Sequence, residues 1–488
     1  MDNSSSSPFL VPLAITPAGE LRSKKGQAPQ IQSDAHWYVL CDTDTELAAE
    51  FTPILQREAA SRPDIGIFYV DHRLRSEKMP DLRPEFDLAL LLAYDYIGLP
   101  IAVRANVLTM LQAEAMGYGP AFSYALLLQA VQTGITIGRI PQMLATREKR
   151  YPQVPRKDRQ RVLEDWLGQD RACFELKPGI PAYALQLRRK ATEMPPVTLC
   201  VPTRQSCSDA DSGNSENRPP FITGFLETVA RLDYPMDRLE VIVGDDLPDG
   251  SAYANRHWPF KLTRIITTRA PGEPFNYARK MNQLWRLSQT EQIVLMNDDI
   301  VGESTDWLQA LLTFSMQEDV GGVGARLLYP DGTVQHAGIA GGLGNLCGHA
   351  WVGRPADEPT YQDWAIIHRE WSMVTGAVFA TRRSILEEIN GFDEVFSLNY
   401  NDVDMCLRLK ALGYRIVYTP HAELIHLEGA SRGKISGTSS DLNVSGPGSG
   451  LYRFVRRWGV YLANDPTFHP GLDRSSSTLH PLVSLAQA

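Results

Sequence analysis

Short runs of consecutive apolar residues alternate with amphipathic stretches along most of the chain. WYVLC (37–41) and IGIFYV (65–70) have the pattern of buried strands, and the stretch from Leu47 to Ala60 between them has helical spacing. The alternation resumes with VTLCVP (197–202), which ends on Pro and a polar stretch, and with LEVIVGDD (239–246) and QIVLMNDD (292–299), which both end on acids. Phe221, Phe225, Val229 and Leu232 recur at i, i+4, i+8 and i+11, the stripe of a helix lying on a sheet. This pattern predicts an α/β fold in which parallel-type strands deliver carboxylates at their C-terminal ends, where open sheets bind ligands.

Five segments are expected. Residues 1–33, rich in Ser, Pro, Gly and Gln, read as a disordered tail, and 34–150 as a smaller α/β unit. Residues 151–196 read as a helical linker, with Val162, Leu163 and Trp166 on one face of RKDRQRVLEDWL (156–167). The main α/β domain is expected over 197–433. Residues 434–488 open on Ser/Gly-rich KISGTSSDLNVSGPGSG, a mobile loop before a C-terminal tail in which order resumes from Leu451. CDTDTEL (41–47) and MNDDIVG (296–302) both follow an apolar strand and precede a helix, which hints at an internal duplication.

With 488 residues, 43% hydrophobic and 22% charged, the chain has ordinary globular composition and room for two or three domains. A formal net charge of −9 opposes non-specific binding to nucleic acid. The six cysteines are too scattered for a disulfide framework, which fits a reducing compartment. The N-terminus lacks the basic segment of a secretory signal, and no apolar run is long enough to span a bilayer. The expectation is a cytoplasmic protein, with peripheral contact at the cytoplasmic face of a membrane left open.

Two acidic clusters carry the candidate chemistry. Asn297-Asp298-Asp299 follows four apolar residues, so the sheet would hold both carboxylates at its edge, where hard cations such as Mg²⁺ or Mn²⁺ take one or two carboxylates and complete their shell with phosphate oxygens. The competing reading is two acids that end a strand and cap the next helix. Asn401-Asp402-Val403-Asp404 begins a helical pattern, and Asp402 reads equally as a helix cap or as a general base. His426 closes an apolar stretch before a Gly/Ser-rich loop and is a candidate metal ligand, although a lone histidine is more often structural. His336 and His349 flank a Gly-rich run that reads as turns and close backbone approaches. Gly342, Gly344 and Gly348 are spaced one residue too widely for a dinucleotide fingerprint, and no Gly-x-Ser-x-Gly elbow occurs, which argues against a Rossmann oxidoreductase and a serine hydrolase.

The order VTLCVPTR, LEVIVGDD, FNYARKMNQ, VLMNDDI, VTGAVFATRRSILEEINGFDE and NDVDMCLRLKALGYRIVYTPHAELIHLEGASRG closely resembles bacterial family 2 glycosyltransferases over about 197–433, with a looser resemblance reaching back to about residue 36. The resemblance implies a GT-A fold, a Rossmann-like mixed sheet flanked by helices, preceded by a degenerate, non-catalytic GT-A-like unit. It implies that Pro202, Thr203, Arg204, Asp245 and Asp246 line the nucleotide pocket, with Asn276, Arg279, Lys280 and Asn282 beside the nucleotide sugar. Asp299, Asp298 and His426 take the metal-side positions, Asp298 also nearing the ribose. Thr375, Gly376 and Ala377 form the loop below the donor sugar, Asp402 stands as the catalytic base and Asp404 as its acidic companion. The activity implied is metal-dependent (Mn²⁺ or Mg²⁺), inverting transfer of a sugar, of hexosyl or rhamnosyl type, from a nucleotide-diphosphate donor to a glycan or lipid-linked glycan of O-antigen type. A non-catalytic carbohydrate- or nucleotide-binding scaffold with a retained fold is the alternative.

Overall fold

The computed structural model describes residues 9–16, 20–23, 36–75, 80–147, 154–190, 194–207, 219–267, 272–427 and 449–482. The chain forms two compact units, one of residues 1–187, 466–473 and 480–488, the other of 188–465 and 474–479.

The first unit is built on an eight-stranded mixed sheet. Its apolar runs at Trp37–Cys41 and Ile65–Leu74 are strands, and Phe51–Ser61 is a helix whose Phe51 and Leu55 pack against Trp37 and Phe68. The N-terminal segment departs from the expected tail. Leu10–Ile15 is a strand parallel to Trp37–Cys41, and Leu21–Ser23 pairs with it. Local composition hides this because the order comes from pairing with a distant strand and from burial of Leu13 and Ile15 on one face. Residues 1–8, 17–19 and 24–33 of the expected tail lie outside the described residues. The expected linker contains its helix, Arg156–Leu167, with Val162 and Leu163 buried, but also a two-stranded hairpin of Phe174–Pro178 and Leu185–Arg189.

The second unit carries a ten-stranded mixed sheet. In chain order its elements include β1 (Val197–Thr203), α1 (Phe221–Ala230), β2 (Leu239–Asp245), β3 (Lys261–Ile266), α2 (Tyr277–Trp285), β4 (Gln292–Met296), β5 (Ile300–Val301), α3 (Trp307–Ser315), β6 (Val320–Leu328), β7 (Val334–His336), β8 (Ile339–Gly341) and β9 (Cys347–His349). After these come β10 (Arg369–Glu370), β11 (Val378–Arg382), α4 (Arg383–Glu388), α5 (Asn401–Ala411), β12 (Arg415–His426) and α6 (Gly450–Ala463). The sheet order is β3-β2-β1-β4-β11-β6-β12-β5, with β7 pairing β6 and β10 pairing β12. β3, β2, β1 and β4 are mutually parallel, and β11 enters antiparallel between β4 and β6. The helix predicted from Phe221, Phe225 and Val229 is α1, with all three residues buried. Residues 434–448 of the expected mobile loop lie outside the described residues; order resumes at Ser449, and α6 (Gly450–Ala463) belongs to the second unit.

Candidate active site

Thr203 closes β1 in register with Asp245 at the end of β2, and β4 runs parallel on the other side of β1. The acids that follow β2 and β4 therefore emerge on either side of Thr203. Asp245 is fully buried and accepts from the Tyr253 hydroxyl (2.6 Å), Gln205 Nε2, Arg264 Nε and the Leu247 amide (each 2.9 Å). It braces the following loop. Asp246 lies 2.7 Å from Lys280 Nζ, which also donates to the Thr203 carbonyl at 2.9 Å. Burial pulls the Lys280 ammonium below its ordinary value while Asp246 opposes that shift.

A cavity of about 330 Å³ opens here, lined by Pro202, Thr203, Arg204, Asp246, Lys280, Asp298 and Asp299, with Phe275 and Tyr277 as aromatic walls. Asn276 and Arg279 line a smaller hollow that shares Asp246 and Lys280 with it. Asn276 caps α2, its side chain accepting from the Arg279 amide at 2.9 Å, and Arg279 pairs with Glu273 and Glu394. Asn282 points elsewhere. Its buried amide exchanges hydrogen bonds with the backbone of Phe392 at 2.9 Å in both directions, tying α2 to that loop.

Asp298 Oδ2 accepts from the Thr203 hydroxyl at 2.6 Å. Burial first, and the charge of Asp299 second, push the Asp298 carboxyl up to about 7. Pairing of Ile300 in β5 with His426 at the end of β12 brings that histidine beside the acids, with Nε2 3.1 Å from Asp299 Oδ1. A pair of carboxylates next to an imidazole nitrogen fits a hard divalent cation. Among the described residues no group of three His, Cys, Asp or Glu side chains is gathered to hold a metal alone. Asp299, His426 and Asp298 could thus supply only part of a shell, and phosphate oxygens of a substrate would have to complete it.

A second cavity, of about 220 Å³, shares Tyr277, Asn297, Asp299 and Leu398 with the first and adds His426, Asp402, His349, Thr375, Gly376 and Ala377. Both acidic clusters therefore open onto adjoining space. Asp402, in the first turn of α5, accepts from the Gly376 amide at Oδ2 (2.9 Å) and from the Val403 amide at Oδ1 (2.8 Å). A Cβ on Gly376 would stand 3.0 Å from the Asp402 Cβ, so the glycine permits this close approach. Asp404 lies apart from the cavities. It is fully buried and accepts from Arg408 Nε (2.9 Å), Arg457 Nη1 and Trp458 Nε1 (both 2.8 Å), anchoring α6 to α5.

Several residues in or beside the cavities carried no chemical assignment in the sequence. Tyr277 lines both cavities and donates to Asn297 Oδ1 at 3.1 Å; it sits inside the FNYARK stretch among polar residues with stronger chemical signals. His336 and His349 meet at 3.1 Å between their Nδ1 atoms, and burial, then His349 and His426, hold His336 well below its ordinary value. Tyr400 precedes α5 at φ +68°, a left-handed position uncommon for a residue with a side chain. The two histidines were visible as flanks of the Gly-rich run, but nothing local told that β7 and β9 would bring their rings together.

The second unit is thus a mixed α/β sheet flanked by helices, with acids at the carboxyl ends of its parallel strands β2 and β4. Residues 195–437 match the family model described as "Glycosyltransferase like family 2". A protein of Sinorhizobium fredii, y4gI, is 33% identical over 210 residues, covering 43% of this chain and 23% of that one. The O-antigen biosynthesis protein RfbC of Myxococcus xanthus is 26% identical over 435 residues, covering 84% of this chain and 32% of that protein. The N-acetylglucosaminyl-diphospho-decaprenol L-rhamnosyltransferase of Mycobacterium tuberculosis is 28% identical over 129 residues, 23% of this chain and 39% of that enzyme. The chain thus spans well under half the length of these relatives. Among the described residues, no helix is long and apolar enough to cross a membrane.

Proposed function

We propose that the chain transfers a sugar from a nucleoside-diphosphate donor to a hydroxyl of a glycan or lipid-linked glycan, with inversion, in the assembly of a surface polysaccharide. The observation that carries this reading is the shared edge of the two cavities, where Asp299 belongs to both and Asp402 stands in the second.

The first cavity suits the nucleoside diphosphate, with the Lys280 ammonium and Arg204 as cationic groups and Phe275 and Tyr277 as flat surfaces. The second suits the transferred sugar and the attacking hydroxyl. Asp299 and His426, with Asp298, would hold a divalent cation. When bound, it stabilises the negative charge that grows on the leaving diphosphate. Asp402 accepts the proton of the acceptor hydroxyl as its oxygen bonds to the anomeric carbon. The bond from that carbon to the diphosphate oxygen breaks, and the diphosphate leaves with the electron pair. One displacement inverts the centre, unlike glycosidases, whose paired carboxylates activate water across an existing glycosidic bond. The two backbone amides on Asp402 fix its orientation while leaving acceptor sites for the incoming proton.

The test is turnover with Mn²⁺ or Mg²⁺ and a panel of nucleotide sugars. Release of nucleoside diphosphate is expected, together with its loss by at least about a hundredfold in Asp402→Asn at unchanged diphosphate affinity. Binding without turnover across donors and glycan acceptors would instead identify a non-catalytic scaffold, and free sugar released regardless of acceptor would identify a hydrolase.

A further inference from the structure

Exposed apolar side chains scattered singly over a surface need no explanation, but a group of them on one ridge does. Val395, Leu398, Tyr452, Val455 and Val460 are all exposed, and all lie on α6 or on the loop that precedes α5. In α6 the inward face is Phe454 and Leu462, with Phe454 stacked on Tyr400 at 4.9 Å and edge-on to Phe396 at 6.1 Å. At about 100° per residue, the opposite arc carries Tyr452, Val455, Arg456 and Val460, with Arg453 at its border. Val460 is 84% exposed, Tyr452 44% and Val455 42%.

The same ridge is positive. Arg453 and Arg456 are exposed and enter no ion pair among the described residues. The acids nearest to α6 are already engaged, Asp393 and Asp404 by Arg457 and Glu394 by Arg279. No acidic residue occurs between Asp441 and Asp465, in a chain whose formal net charge is −9. We propose that the outward face of α6 is an interfacial docking surface for a bilayer that carries anionic headgroups. A single convex helix offers no pocket of the kind that holds the anchor residues of a protein partner. A fluid interface accepts a convex ridge, takes up Val and Tyr at headgroup level, and pairs arginine with lipid phosphate. With 14 residues, α6 falls short of the roughly 20 needed to cross a bilayer, so it lies on the surface. The ridge adjoins the second cavity, which Leu398 and Tyr400 line. Docking there favours a lipid-linked acceptor over a free glycan, a consequence that rests on the glycosyltransferase reading, whereas the docking itself does not.

The experiment is co-sedimentation of the full chain with phosphatidylcholine vesicles, with and without phosphatidylglycerol. Donor and acceptor are left out, so the result is independent of whether any sugar is transferred. Binding is expected to the vesicles with phosphatidylglycerol and to weaken as salt is raised. Arg453→Gln and Arg456→Gln together should lower the partition coefficient about twenty- to thirtyfold, roughly fivefold for each charge. Val460→Asp should weaken binding as well, by placing a carboxylate against the headgroups. All three residues are exposed, so the melting temperature and the Mn²⁺-dependent affinity for diphosphate should stay those of the unaltered chain. Absence of binding to phosphatidylglycerol vesicles, or binding that survives the double arginine change, overturns the proposal. Self-association in the absence of lipid that Val460→Asp removes also overturns it, by assigning the ridge to a second copy of the chain.

Discussion

Asp298 and Asp299 stand side by side at a strand end, and the burial of Asp298, reinforced by the charge of Asp299, makes a testable signature. The Asp298 carboxyl is raised from 3.8 to about 7, so between those values the folded chain holds a proton that the unfolded chain has released. The stabilisation is present in full below about pH 4 and is lost as pH rises through about 7. Without divalent cation, the melting temperature should therefore fall from about pH 5 to about pH 8 more steeply than in Asp298→Asn, and Mn²⁺ should recover the loss at the upper end. Parallel melting curves for the two proteins in chelator would contradict the assignment. Asp299→Ala should abolish cation-stimulated turnover while leaving the melting temperature unchanged or raised, because it removes a repelling charge rather than a core contact. Gly376→Ala acts on the other cluster. A methyl group 3.0 Å from the Asp402 Cβ must displace that side chain, and kcat should drop by roughly ten- to a hundredfold with diphosphate affinity intact.

The strands and helices that carry these residues divide into those written in local sequence and those written only in tertiary pairing. β1, β2 and β4 are short apolar runs with acids or Pro at their ends, and all three lie where the pattern puts them. The acids after β2 show the limit of that reading. Alternation gives Asp245 and Asp246 equal standing, and only the partners Tyr253, Arg264 and Gln205, which lie outside the motif, turn Asp245 inward. Asp404 is a parallel case. Its place two residues from Asp402 suggests shared chemistry, but helical geometry turns it by about 200° from Asp402, toward α6. There Phe454 stacks on Tyr400 at 4.9 Å, and Arg457 binds both Asp393 and Asp404, so the helix clamps the loop that leads into Asp402. Asp404→Ala should destabilise this clamp by about 2–3 kcal/mol, below the range for a wholly buried pair because Arg457 stays partly hydrated. Hydrogen exchange is the measurement that separates the effects: amides of 392–404 should lose protection while those of β1 and β4 keep theirs.

Two α/β units in one chain raise the question of how many sites it holds, and the first unit supplies its own answer. CDTDTEL places Asp42 after an apolar strand as MNDDIVG places Asp298 after another, and on sequence alone both could serve a cation. In the folded unit Asp42 is already occupied. Its carboxylate pairs with the guanidinium of buried Arg147 and accepts from the Thr45 hydroxyl and the Asp44 amide. A guanidinium bound to a carboxylate repels a cation and has used the lone pairs one would need, so a second metal–diphosphate site there would require breaking a partly buried ion pair. The cationic group acting on Asp298 is Lys280, which Asp246 already engages. The full chain should therefore take up one nucleoside diphosphate per molecule in the presence of Mn²⁺. Asp42→Ala should leave that stoichiometry and the turnover within about twofold, at a cost in stability for the uncovered Arg147, whereas Asp299→Ala should remove the cation-dependent binding entirely. A stoichiometry of two, with one site surviving Asp299→Ala and lost in Asp42→Ala, would place a working site in the first unit and reverse the argument drawn from Arg147.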